Sequence, residues 1–323
     1  MATYKEIHGT NIEVLSSDPS NPVDGQVWFN TTSNTVKGVV NNPGSWATGG
    51  ALNTARRKLG SAGIQTAAIA FGGDGGGAGE VSVTELYNGT NWTEVNDMIL
   101  NRNNIAGAGT QTAAIAAGGI PAPSGVTELW NGTNWTEVND MNVNKVSRSA
   151  FGTSTAAIVA GGSPTPPSPT TSALTESWNG TNWTEVNDLG TGRYYAAASG
   201  TQTAGLFFGG MTPPGTTVYN ETETWNGTNW TEVNDLTTAR GQLAGDGTQT
   251  SALAFGGNGP SAVTESWNGT NWTEVGDLST GRSYLGGAGA SNTSALAFGG
   301  NDPVIALTEE FDAGPATVTI TAS

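Results

Sequence analysis

The sequence predicts an all-β fold, a six-bladed β-propeller whose last blade is completed by an N-terminal strand. Three observations lead there. The decamer NGTNWTEVND begins at Asn88, Asn131, Asn179 and Asn226, and again at Asn268 with Gly276 in place of the last Asn. Apolar runs ending in a glycine pair recur at the same period, at residues 67–73, 113–119, 156–162, 204–210, 252–257 and 295–300. Only 12% of residues are charged, while 48 glycines and 11 tryptophans supply tight turns and an aromatic core, which suits short strands and argues against disorder. A period of 40 to 50 residues means one supersecondary unit used repeatedly.

Taken in order, residues 1–35 stand apart from the repeats. Gln26 to Asn30, the turn-like TTSN and Val36 to Val40 read as a hairpin, followed by a turn over Asn41 to Gly44 and a short strand around Trp46. Each repeat then opens on a basic residue: Arg56, Arg102, Lys145, Arg193, Arg240 and Arg282. A strand of small residues follows, then a polar turn, then the apolar run. That run is apolar on both faces, as expected of a strand buried between neighbouring sheets. The third strand is of the TELYN type, at 84–88, 127–131, 175–179, 222–226, 264–268 and, altered, 308–312. Its Asn-Gly ending accepts the positive φ of a tight hairpin. The fourth strand, Trp-Thr-Glu-Val, alternates as a half-exposed strand does.

Four antiparallel strands in about 45 residues make a propeller blade. Six repeats have a basic opener, a glycine pair and a third strand, but only five have the fourth strand, at Trp92, Trp135, Trp183, Trp230 and Trp272. Trp46, in register before Arg56, is the expected sixth. Such closure removes exposed sheet edges. The expected organisation is an N-terminal attachment segment at 1–35, the propeller at 36–312 and a strand-like tail at 313–323.

An apolar strand ending in Gly-Gly, then an aromatic such as Trp130, then Trp135 in the next strand resembles the kelch repeat, and the resemblance runs over residues 46–312. The five-residue spacing of the aromatic pair is slightly tighter than the usual one. Together with the stretch DGQVWFNTTSNTVKG, Asp24 to Gly38, the repeat is also similar to virion structural or tail-fibre-like proteins of marine tailed phages. That resemblance implies assembly in an infected cytoplasm, release by lysis and a place in the virion. Residues 1–35 and 315–323 are expected to attach the ring to other virion proteins, with several copies of the chain in the assembly.

A net charge of −16, from 27 acidic and 11 basic residues, disfavours nucleic acid and anionic membranes as partners. No apolar run approaches membrane length, and the start MATYKEIHGTNIEV lacks a signal pattern. There is no cysteine and one histidine, His8, so neither a metal site nor a cofactor is expected. The NGTNW turn is only loosely similar to the Asp-box turns of sialidases, and no separate arginine triad accompanies it. Catalysis needs a constellation that breaks the repeat symmetry, and the carboxylates here are mostly symmetric, so no enzymatic activity is expected; a glycan-processing propeller is the minor alternative.

The repeats diverge in the link between second and third strands: 74–83, 120–126, 163–174, 211–221, 258–263 and 301–307. Meander geometry puts all six on one face. A uniform scaffold with one divergent face suits a binding surface, and neutral drift is the bland alternative. Its candidate residues are Asp74, Pro121, Pro123, Pro166, Pro167, Pro213, Tyr219, Asn258 and Asp302. The expected role is host-surface recognition, with a glycan as the expected ligand; the alternative is a structural subunit that decorates or joins a virion or filament. The repeated tryptophans are read as packing between blades. The ring of Arg56, Arg102, Lys145, Arg193, Arg240 and Arg282 is read as structural, paired with Asp97 and its counterparts, with an anion site in the channel as the alternative.

Overall fold

The computed structural model describes residues 12–23, 25–121, 125–164, 170–213, 217–301 and 303–320. It divides into two compact units, residues 45–312 and residues 1–44 with 313–323.

In the first unit the Asn-Gly turns act through their side chains. Asn88 Oδ1 accepts the backbone N–H groups of Thr90 and Asn91 at 3.0 and 2.9 Å, and the same clasp recurs at Asn131, Asn179, Asn226 and Asn268. The Asn of each NGT triplet is thereby part of the hairpin. Around each turn four strands pair antiparallel, beginning with Gly60–Ile64, Ala67–Phe71, Thr84–Tyr87 and Trp92–Val95. Five sheets of this kind form, and the chain is a β-propeller of repeated four-stranded blades.

A further sheet of the unit contains Gly286–Ser291, Ser294–Phe298 and residues 308–312. The strand Thr35–Thr48 lies next in that sheet, and Gly49 N–H donates to Thr308 C=O at 2.9 Å. Thr35–Thr48 is continuous where the sequence predicted a turn at Asn41 to Gly44. The ladder hydrogen bonds of a long neighbouring strand, Thr308–Thr319, override the local turn preference of Asn-Asn-Pro-Gly.

The core is a set of interleaved layers between neighbouring sheets. Ile69 and Phe71 pack with Met98 and Trp135 of the following repeat, while Ala68 and Ala70 face Trp92, Leu296 and Phe298 on the other side. That two-sided burial explains the unbroken apolar run. The first strands stand innermost: Gly60–Ile64, Ala106–Thr110, Ser149–Thr153, Ala197–Thr201, Ala244–Thr248 and Gly286–Ser291 follow one another around the axis, the last lying against the first. Crowding there requires small residues. A Cβ on Gly107 would come within 2.5 Å of Ser61 O.

In the second unit, Glu13–Leu15 runs parallel to Val27–Asn30, which pairs antiparallel with the start of Thr35–Thr48. Ile320 N–H donates to Val36 C=O at 2.9 Å, so the C-terminal strand is used here. Trp28 is fully buried, and its Nε1, Asn30 Nδ2 and Lys37 Nζ converge on Asp18. The bonds from Lys37 and Asn30 hold the Asp18 carboxyl below its ordinary range.

Candidate functional site

The basic residues predicted as a ring are almost all buried in ion pairs, and their partner is a glutamate of the third strand. Arg56 meets Glu85 at 2.8 Å, Arg102 Glu128 at 2.7 Å, Arg240 Glu265 at 3.0 Å and Arg282 Glu309 at 2.8 Å, while Arg193 meets Glu221, just ahead of the third strand, at 2.8 Å and Glu223 at 3.2 Å. The aspartates expected to pair with them instead accept backbone N–H groups, Asp97 from Thr84 and Asp277 from Thr264. A buried guanidinium needs a carboxylate at equal depth, and the glutamate stem supplies it from inside the sheet.

Lys145 is the exception. It lies in the short strand Lys145–Val146, and Arg148 makes the ion pair of this repeat, with Glu176 at 2.9 Å. The sequence position was right in register, but the charge arrives from three residues further on. Arg148 stands directly before the inner strand, where the other repeats carry Leu59, Ile105, Ala196, Leu243 and Leu285. Its guanidinium is buried against Glu176, as those of Arg56 and Arg102 are against Glu85 and Glu128.

Two residues ahead of each inner strand the backbone turns left-handed. Lys58, Asn104, Ser147, Tyr195, Gln242 and Tyr284 all have φ between 53° and 57°. Such a conformation costs a lysine, glutamine or tyrosine on the order of 1 kcal/mol or more, so surrounding bonds must impose it. They do so as a chain. Asn104 N–H donates to Lys58 C=O, Tyr195 to Ser147, Gln242 to Tyr195 and Tyr284 to Gln242, and Lys58 N–H closes onto Tyr284 C=O at 2.9 Å. Identical backbone thus presents six side chains of five types around one mouth.

Those side chains engage one another. Gln242 Nε2 donates to Tyr284 Oη at 2.7 Å, Lys58 Nζ stands 5.0 Å above the Tyr284 ring, and Tyr195 meets Tyr284 edge-on at 5.1 Å. Tyr194 packs on Tyr195 at 4.6 Å. Burial pushes the Tyr195 phenol up, against hydrogen bonds from Ser147 and Asn104.

The divergent links surround this mouth. Asp74 exchanges backbone bonds with Arg57 and also accepts its Nε at 2.9 Å. Ile120, next to Pro121, pairs with Asn103; Met211, two residues before Pro213, pairs with Tyr194. Asn258 Oδ1 accepts Gly241 N–H at 2.8 Å, and Tyr219 N–H donates to Gly210 C=O. Pro123, Pro166, Pro167 and Asp302 lie outside the described residues. The mouth residues themselves were missed in the sequence, because none is the glycine or paired Asn-Gly by which a left-handed residue is recognised.

Below the mouth lies an axial cavity of about 290 Å³ walled by the inner strands, with a pocket of about 80 Å³ between it and the six left-handed residues. The wall is glycine, alanine and serine for the most part; the charged residues among its described lining are Arg148, whose guanidinium is turned to Glu176, and Asp246. Asp246 stands where other repeats have Ala62, Ala108, Phe151, Ser199 and Ala288. Burial pushes its carboxyl up to about 8, against hydrogen bonds from Gly247 and Gly289. A folded pKa above the unfolded value near 4 means that the folded chain keeps a proton the unfolded chain has released. Stability is then greatest at low pH and falls between about pH 4 and 8, by up to ~1.4 kcal/mol per pH unit for this group. Asp246→Asn should remove that slope. Urea midpoints of both proteins across this range check it, and parallel profiles would place the pH dependence elsewhere.

The tryptophans pack between sheets. Trp135 Nε1 donates to Thr84 Oγ1, Trp183 to Thr127, Trp230 to Thr175, Trp272 to Thr222 and Trp92 to Thr308, at 2.9 to 3.2 Å. Trp46 makes the same bond to Thr264 at 2.9 Å. Among the described residues no group of three His, Cys, Asp or Glu side chains is placed to hold a metal, and no helix is long and apolar enough to cross a membrane. Neither the family models nor the curated proteins contain a match to this chain.

Proposed function

We propose that this chain is a six-bladed, kelch-like propeller that binds without catalysis, a virion-associated component that uses its divergent-link face to recognise a host-surface glycan. The observation that carries the reading is the mouth: one repeated left-handed turn presents Lys58, Asn104, Ser147, Tyr195, Gln242 and Tyr284, and the divergent links gather around them. Identical backbone with differing side chains is what a recognition surface on a repeat scaffold requires. Tyrosine, glutamine and asparagine supply stacking faces and paired donors and acceptors for a polar ring. The symmetric glutamates favour a role without catalysis, since Glu85, Glu128 and their counterparts are committed to buried ion pairs.

For the blade number, the support is that Trp46 bonds Thr264 as the five repeat tryptophans bond their threonines, and that residues 45–48 lie beside 308–312 as a fourth strand would. The virion setting rests on the wording of Asp24 to Gly38. Many copies on one particle would convert weak contacts into firm attachment.

The test is an array of bacterial surface glycans probed with the purified chain and with Tyr195→Asn/Tyr284→Asn. Asparagine tolerates the left-handed backbone, so the mouth keeps its shape and loses both rings. Selective binding that drops at least about tenfold in the variant, more than 1.4 kcal/mol, supports recognition at the mouth. No binding by either protein would favour the structural alternative, in which the opposite face packs against partners.

A further inference from the structure

We infer that the small sheet of the second unit docks a second copy of this chain on its uncovered apolar face. Cross-strand register sorts its residues onto two sides. Val14 stands opposite Phe29, and Phe29 opposite Val36. Val27 stands opposite Gly38, where a Cβ would come within 3.1 Å of Ile320 Cδ1 and 3.6 Å of Val27 Cγ2, so Ile320 shares that side. The period-two alternation of a strand adds Ile12 and Val40. The other side carries Glu13, Trp28 and Lys37, with Leu15, Asn30 and Thr35.

The two sides are treated differently. Asp18 closes over the second, accepting hydrogen bonds from Trp28 Nε1, Asn30 Nδ2 and Lys37 Nζ, and Trp28 beneath it is fully buried. The first side has no such cover among the described residues. Val14 is 65% exposed, Ile12 46% and Val40 45%. None of its described residues is charged. A contiguous apolar face left open in this way marks an interaction surface.

Charge selects the occupant. With a net charge of −16, two copies repel across most of their surfaces, and a side without charge is where they can meet. A partner recognised through ion pairs finds nothing to hold there. A flat face rich in valine and isoleucine is also complementary to its own image, as a twofold interface requires, and two such sheets pack about 10 Å apart. Four strands about 4.8 Å apart and about five residues long give each copy a face of about 300 Å². An interface of that size is transient in solution, and it gains when many copies are held on one assembly.

Sedimentation velocity of the full chain from about 1 µM to about 300 µM tests the docking. The average sedimentation coefficient should climb with concentration toward that of a dimer. Val14→Glu/Val40→Glu should stay monomeric throughout while keeping the wild-type melting temperature, since both positions are exposed in the single copy. The chain has no cysteine, so a nitroxide on Val14→Cys is a clean reporter. Pulsed dipolar spectroscopy should show a distance to its image below about 40 Å, set by the span of the face, and adding Val40→Glu should abolish it. A monomer at every concentration would overturn the inference and leave the face to a partner other than a copy. Self-association unchanged in the double variant would overturn it as well. The docking stands apart from the glycan reading: a blank glycan array beside a concentration-dependent dimer would remove that reading and uphold this one.

Discussion

Glu265→Ala is expected to destabilise the propeller unit by ~3–5 kcal/mol, the cost of leaving a buried charge without its partner. Glu265 is fully buried, and its Oε1 accepts Arg240 Nη2 at 3.0 Å and Thr238 N–H at 3.3 Å, while Oε2 accepts Thr237 N–H at 2.7 Å. Removing it strands a guanidinium and two backbone donors in the space between strands. Replacing both members, with Arg240→Met/Glu265→Leu, should cost less, because no charge is left unpaired, although Thr237 and Thr238 N–H still lose their acceptor. Urea unfolding followed by tryptophan fluorescence measures both. A single substitution costing under about 1 kcal/mol would mean that water reaches the pair.

Trp272→Ala carries the second large effect, ~3–5 kcal/mol, since a nearly buried indole is removed from between two sheets. The ring packs on Phe208 at 4.9 Å and Trp267 at 5.3 Å, and its Nε1 bond to Thr222 goes with it. Trp46→Ala is the informative companion. Trp46 makes the equivalent bond to Thr264 and packs on Phe255 and Phe311 at 5.0 and 5.2 Å, but it is half-buried, so about 2–3 kcal/mol is expected. If residues 45–48 complete the sixth blade, Trp46→Ala should lower the same cooperative transition as Trp272→Ala. A separate, earlier transition, or none, would detach that strand from the ring.

The four-stranded repeat was legible because each of its signals has a local cause. Asn88 and its counterparts clasp their own turns, and Ala67–Phe71 is apolar on both faces because both faces meet a neighbour. The candidate loops were legible as divergence, and the structure sets Asp74, Ile120, Met211 and Asn258 around one mouth. Partners were harder. Aspartates five residues before the arginines were the nearest acids in sequence, yet the buried pair is formed with glutamates across the sheet, Glu85 lying 29 residues after Arg56. Lys145 matched the pattern of types and spacing, and only the path of the chain shows that Arg148 reaches Glu176 first.

By itself the sequence determined the repeating unit, its turns and its register, since these depend on residues within a few positions of one another. The tertiary structure alone decided which charges meet, which residues are held left-handed and where the symmetry breaks. Lys58, Tyr195 and Tyr284 adopt φ above 50° because hydrogen bonds from neighbouring repeats hold them there, and no local preference of lysine or tyrosine announces it. The upward push on the Asp246 carboxyl has the same origin: the inner strands around it come from sequence far away on either side.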